Sequence, residues 1–214
     1  TCETCDGQGR IYAKWSEAPR YVCWPPFYRF NDYNNERGMS GDRFDPPLCL
    51  IHGVKGWGYD VLLDKFRSQL GVRCCGVNAP DGLIQHREVP TRLAKALCMV
   101  HLKSSDAPGY SLYEAMAAAC PIVCTRRLIW RCRMEELLIP GETCLVFDRT
   151  GHQGLTPEDV TSCAAEVQEH IASLHDPVYN RQIGEAGRAR LLELMWSKDR
   201  SGDVASLAEF VRRN

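Results

Sequence analysis

His101-Leu102-Lys103-Ser104-Ser105-Asp106-Ala107-Pro108-Gly109-Tyr110-Ser111-Leu112-Tyr113-Glu114-Ala115-Met116-Ala117-Ala118-Ala119-Cys120-Pro121-Ile122-Val123 reads as strand end, glycine-containing loop, helix and next strand. The apolar run Cys98 to Leu102 supplies the first strand, Leu112 to Ala119 the helix, and Ile122 to Cys124 the second strand. A helix that begins near Ser111, just past a strand end, points its unbonded N–H groups at that end. Such amides and the helix dipole stabilise an anion by roughly 0.3 to 2 kcal/mol. Two carboxylates bracket the site, Asp106 in the loop and Glu114 in the first helical turn. Each is a charged acceptor, for which a hydroxyl hydrogen bond contributes about 1.5 to 3 kcal/mol. Ser111-Leu112-Tyr113-Glu114 also fits a capping box, in which the glutamate bonds its own helix backbone. Both readings stand at this point.

Outward from this stretch the same alternation continues. Leu48 to His52 is a short apolar run ending at Gly53, and Tyr59 to Leu70 carries Val61, Leu62, Leu63, Phe66 and Leu70 at helical spacing before Gly71. Val72 to Gly76 reads as a strand, Val77 to Val89 as loop, and Pro90 to Leu97 as a helix opened by proline. Downstream, Cys144 to Phe147 is a fifth strand; helices run from Thr156-Pro157 through Leu174, from Asp176-Pro177 to about Trp196, and over Asp203 to Arg213. Apolar strands separated by helices imply an α/β fold, a Rossmann-like parallel sheet covered by helices on both faces. Ligands of such sheets bind at the carboxyl ends of the strands. Residues 1–45, rich in aromatics, Gly, Asn and Arg, show no sustained period. They are expected to form an irregular N-terminal arm or small subdomain, with 46–214 as the α/β domain.

Composition narrows the classes. The chain has 214 residues, 44% hydrophobic and 25% charged, enough to bury a core and inconsistent with disorder or a fibrous repeat. Lys plus Arg total 26 against 27 Asp plus Glu, so no global field attracts polyanions and nucleic-acid binding would need a local patch. No run approaches the ~18 apolar residues of a membrane span, and the start is polar, so the expectation is a soluble, cytoplasmic protein. Among 12 cysteines, Cys49, Cys74, Cys98, Cys120, Cys124, Cys144 and Cys163 lie inside apolar runs and read as small buried hydrophobes in a reducing compartment. Cys2 and Cys5 fit one CxxCxGxG unit, half of what a four-ligand zinc site of that kind needs. An incidental turn is the alternative.

The residues already quoted resemble the donor-binding signature of retaining GT-B glycosyltransferases of family GT4. That pattern runs Glu-Gly-Phe-Gly, three residues, Glu-Ala-Met-Ala, two or three residues, Pro-Val-Val. Asp106 and Glu114 keep the family's spacing of eight; Gly109 matches the second glycine, Glu114-Ala115-Met116-Ala117 matches directly, and Pro121-Ile122-Val123 follows. Glu136-Leu137-Leu138-Ile139-Pro140-Gly141-Glu142-Thr143-Cys144-Leu145-Val146 resembles the family's Gly-Glu-Thr-Gly-Leu-Leu strand. Ile183-Gly184-Glu185-Ala186-Gly187-Arg188-Ala189-Arg190, with Trp196, resembles its terminal helix, so the likeness covers 48–214.

The resemblance implies the C-terminal, donor-binding half of a GT-B enzyme, transferring sugar from a nucleotide-diphosphate sugar with retention. On this reading Glu114 holds the ribose diol, Asp106 the hydroxyls of the transferred sugar, and the amides of Gly109, Tyr110, Ser111 and Leu112 the diphosphate. Lys55, just past Gly53, takes the place of a family basic residue; a cation ~4 Å from a phosphate contributes up to about 4 kcal/mol at intermediate dielectric. His52 ends the first strand beside the cleft, either in contact with a substrate or as a structural histidine. Arg126, Arg127 and Arg131, interleaved with Trp130, fit an acceptor or anion contact, or else a solvated helix start. Oriented amides and Lys55 would stabilise the leaving diphosphate, so no cofactor or metal is required. The departures are Asp at 106, Ala107 and Pro108 in the loop, and Ala119 near the family's last glycine. Nor do 45 residues supply the family's N-terminal acceptor domain, which leaves a missing domain or an oligomer. Two other classes stay open, a nucleotide-sugar-binding or interaction domain without turnover and a nucleic-acid-associated, DNA-modifying protein. Nothing in the residues selects a glycan, lipid, protein or DNA acceptor.

Overall fold

The computed structural model describes residues 44–52, 60–77, 79–102, 109–148 and 157–196. Strand β1 (Leu48–His52) leads to helix α1 (Asp60–Leu70) and strand β2 (Arg73–Val77). A single 3-10 turn (His86–Glu88) then enters α2 (Val89–Lys95), followed by β3 (Met99–His101), α3 (Tyr110–Ala117) and β4 (Ile122–Thr125). The short α4 (Arg126–Arg131), β5 (Leu145–Phe147), α5 (Pro157–Ser173) and α6 (Pro177–Trp196) complete the order. The strands form one parallel sheet in the order β2-β1-β3-β4-β5. This is the doubly wound α/β sheet expected. Strand order reverses between β1 and β3, which sets the topological switch point there.

Burial on both faces explains why the strands read as unbroken apolar runs. Leu48, Cys75, Met99, Ile122 and Cys124 point to one face, where Val89 and Leu93 of α2, Leu112 and Met116 of α3, and Leu128 of α4 cover them. Their chain neighbours Cys49, Cys74, Val100, Val123, Leu145 and Phe147 point to the other, beneath Leu62 and Phe66 of α1 and Val160, Cys163 and Val167 of α5. Phe66 meets Phe147 edge to face, with ring centroids 6.3 Å apart. Each fully buried Leu or Phe contributes about 1.5 to 3 kcal/mol. The described cysteines are all buried, as expected. Hydrogen bonding to Cys74 and burial push the Cys49 thiol up, and Cys144 and burial do the same for Cys124, so both stay protonated.

The stretch expected to be loop, Val77 to Val89, has a structural task at the sheet margin. Arg73 N–H bonds Pro47 O toward β1, so Cys74 and Gly76 face outward. Cys74 N–H donates to Asp81 Oδ2 at 2.7 Å and its carbonyl accepts from Asp81 N–H; Gly76 N–H donates to Gly82 O and its carbonyl accepts from Ala79 N–H. Asp81 is fixed in turn by Arg67 of α1 through bonds of 2.8 and 3.1 Å. The returning chain thereby satisfies the outer margin of β2. The Arg67 guanidinium, with the Cys74 amide, holds the Asp81 carboxyl below its ordinary value against the opposing effect of burial.

Helix α3 ends in a Schellman turn. Ala119 N–H bonds Met116 O and Cys120 N–H bonds Ala115 O, while Ala119 takes φ 52° in the left-handed region. Helix α6 lies against this turn: a Cβ on Gly184 would stand 2.0 Å from Ala119 O, and one on Gly187 3.2 Å from Thr143 O. Thr143 Oγ1 accepts from Ile139 N–H and donates to Leu137 O, closing the Pro140–Cys144 turn. The glycines of the Ile183-to-Arg190 stretch are therefore contact residues. Buried Asn180 adds bonds from Nδ2 to Leu97 O and Leu174 O.

Three substitutions report on these features in denaturant unfolding. Gly184→Ala should destabilise the fold by about 1 to 3 kcal/mol, the usual cost of forcing a methyl into packed backbone. Ala119→Gly should stabilise it by about 0.5 to 1 kcal/mol, since relief of the left-handed strain exceeds the added chain entropy. Asp81→Asn should lower the urea midpoint at pH 7. Because the folded pKa of Asp81 is depressed, its contribution is complete above the unfolded-state value of ~3.9 and fades as pH falls through the lower folded value. The gap between parent and variant should close on acidification.

Candidate functional site

Helix α3 starts directly at the carboxyl edge, beside the switch point. Its N-cap is Gly109, at φ 80° and ψ 153°, with no side-chain cap, a region that essentially glycine alone occupies. The first amides belong to Tyr110, which is 60% exposed, to half-buried Ser111 and to buried Leu112. Leu112, Tyr113, Ala115 and Met116 anchor the helix in the core, and Tyr113 Oη reaches Met134 Sδ at 3.9 Å. Beside it, β3 ends on buried His101. A rigid element thus presents the N–H groups of its first turn at the strand ends, a geometry suited to an anion.

Glu114 lies just past the first helical turn, in which it was expected. The helix begins at Tyr110 rather than near Ser111, so Glu114 is the fifth helical residue and the first turn contains no acidic side chain. The capping-box reading falls with that shift, since the cap is a glycine and Glu114 lies beyond the third position. The Glu114 side chain is 16% exposed, and its Oε1 lies 3.3 Å from Nε2 of His86, a residue of the 3-10 turn before α2. Nothing in local spacing joins two residues from separate crossovers; the α2–α3 packing does.

The other expected residues are distributed as follows. His52 closes β1 at the carboxyl edge, with its side chain outside the described residues; Gly53, Lys55, Asp106, Cys2 and Cys5 also lie outside them. Arg126 and Arg127 open α4 immediately after β4, at the same edge. Thr125 Oγ1 caps this helix by accepting Leu128 N–H at 3.1 Å. Arg126 Nε bonds Asp148 Oδ1 at 2.9 Å just past β5, and both side chains are more than half exposed, so the pair contributes about 0 to 1 kcal/mol. Asp148 N–H donates to Glu166 Oε2. Arg131 ends α4, with its guanidinium 5.8 Å from the centre of the exposed Trp130 ring. The three arginines follow a single strand, with Arg126 and Arg127 at the edge and Arg131 a helix length further on. Among the described residues no group of three His, Cys, Asp or Glu side chains could hold a metal, and no helix is long and apolar enough to cross a membrane.

Residues 49–203 match the family described as glycosyl transferase-like. The match takes in most of the sequence, and the chain belongs to that family. No curated protein matches it. Among solved structures it is similar to sucrose-phosphate synthase from Thermosynechococcus elongatus, with TM-score 0.52 and 17% identity over 92% of this chain and 51% of that one. It is also similar to a GtfA/B complex, with TM-score 0.54 and 13% identity over 79% and 38% of the chains. The TarM structure gives TM-score 0.52 and 11% identity over 78% and 35%. At these identities the likeness is one of fold, the GT-B fold expected from the signature. The chain spans about half, or less, of each of these proteins.

The helix entry can be tested directly. Gly109→Ala should cost about 1 to 3 kcal/mol of stability, because alanine must adopt a backbone conformation that L side chains rarely take. Among the described residues its added Cβ meets only Ser111 Oγ, at 3.9 Å. Equal unfolding midpoints for parent and variant would show that the helix does not start from this conformation.

Proposed function

We propose that residues 46–214 form the donor-binding domain of a GT4-like glycosyltransferase that moves a sugar, with retention, from a nucleotide-diphosphate sugar to an acceptor. One observation carries the reading: α3 opens at the carboxyl edge next to the switch point, with a glycine cap, and a mostly buried Glu114 one turn further in. Glu114 accepts from the ribose diol, and the amides of Gly109, Tyr110, Ser111 and Leu112 hold the diphosphate. Asp106 takes the hydroxyls of the transferred sugar; Lys55, beside Gly53, neutralises the departing diphosphate, and His52 lies toward the reacting centre. Arg126 and Arg127 flank the same edge and suit an anionic acceptor, with Arg131 further along. Stabilisation of the leaving group comes from oriented dipoles and one cation, without a metal. A cytoplasmic setting fits this reading, since buried reduced thiols such as Cys49 and Cys124 suit a reducing compartment.

A second reading is favoured by the loop itself, where Asp106, Ala107 and Pro108 replace the family's Glu-Gly-Phe. An acidic side chain one methylene shorter, with alanine and proline where the family has glycine and phenylalanine, suits a domain that binds the nucleotide sugar without turning it over. Calorimetric titration with UDP, GDP and ADP tests the common core of both readings. One of them should bind the parent, and Glu114→Ala should weaken that nucleotide by about 1.5 to 3 kcal/mol, the contribution of a charged hydrogen bond. Unchanged affinity would remove Glu114 from the site. Release of free sugar or product from the matching nucleotide sugar separates the transferase from the binding domain.

A further inference from the structure

The contact between His86 and Glu114 joins two crossovers at the predicted ribose site. His86 belongs to the turn in which Glu88 N–H bonds Gln85 O at 2.8 Å, and that turn runs straight into α2, whose Val89, Pro90 and Leu93 are buried. Its backbone is therefore fixed by packing, while its side chain is 53% exposed. Glu114 is held from the other side by the buried Tyr113, Ala115 and Met116. Only 16% of the Glu114 side chain is in contact with solvent, and its Oε1 lies 3.3 Å from Nε2 of His86, within ion-pair reach when the imidazole carries a proton there.

We propose that His86 is a positioning residue for the nucleoside. It holds the Glu114 carboxylate in the rotamer that accepts a cis-diol, so that this site prefers ribonucleotides to 2′-deoxyribonucleotides. The inference rests on the reading of Glu114 given above and adds to it a residue from outside the signature. His86 acts through Glu114 and not on the phosphates, which belong to the start of α3. A half-exposed side chain on a turn can be replaced without opening the core.

The test uses the full chain and whichever of UDP, GDP or ADP binds the parent, together with its 2′-deoxy counterpart. His86→Ala should weaken the ribonucleotide about tenfold, the scale of one charged hydrogen bond, and change the deoxynucleotide much less. His86→Gln, which keeps an N–H at similar reach, should recover most of the loss. In a Glu114→Gln background, His86→Ala should have no further effect. Equal losses for both sugars, no rescue by glutamine, or a full additional loss in the Glu114→Gln background would each overturn the positioning role, as would unchanged ribonucleotide affinity. If the parent binds none of the three diphosphates, the nucleotide-sugar reading itself fails. That result is distinct from a parent that binds and a His86 variant that binds equally well.

Discussion

Parallel strands cannot face water on either side, and this constraint organises the molecule. Each strand must send alternate residues into two separate cores, and each connection must cross over one of them as a helix. Met99 and Val100, or Val123 and Cys124, are adjacent in sequence yet belong to opposite cores. A helix that follows a strand and returns antiparallel to it has to begin at the strand's carboxyl edge. The position of α3 is thus a by-product of burial, and the anion-binding geometry at its start comes with the fold before any residue is chosen for chemistry.

Much of this was legible because burial on both faces leaves a strong trace in sequence. The five strands and the helices after Pro90, Pro157 and Pro177 follow from apolar runs and proline-led starts. The helix boundaries were harder. Helix α3 begins two residues before the apolar Leu112, because Gly109 can take a conformation that starts the helix at Tyr110; a glycine inside a loop does not advertise its dihedral angles. That small shift moved Glu114 from the first turn to the second and decided between a cap and a carboxylate directed at a neighbouring element. Helix α4 was legible as one of two readings of an arginine-rich run, a solvated helix start, but its cap on Thr125, the last residue of β4, was not. The pairing of His86 with Glu114 was beyond reach, since it depends on two crossovers packing side by side.

The family likeness and the geometry answer different questions. Membership follows from a match over residues 49–203, and the sheet agrees with it. The signature residues divide in two: Glu114 and the amides that follow Gly109 are assigned to the donor under the proposed function, whereas Thr143, Gly184 and Gly187 shape backbone contacts among α3, α6 and the turn before β5. A motif can therefore persist because helices must touch, as well as because a substrate must be held. Ala119 shows the tolerance of that arrangement: the turn keeps its left-handed form with a methyl group present.

The returning chain at β2 has an implication for how this protein behaves in a crowded cell. Both outward amides and both outward carbonyls of Cys74 and Gly76 are already taken by residues 79–82. A stray extended peptide, or a second molecule, finds no open ladder there on which to template itself. The returning segment thus protects this border of the sheet from runaway polymerisation, with Asp81 and Arg67 as its clasp.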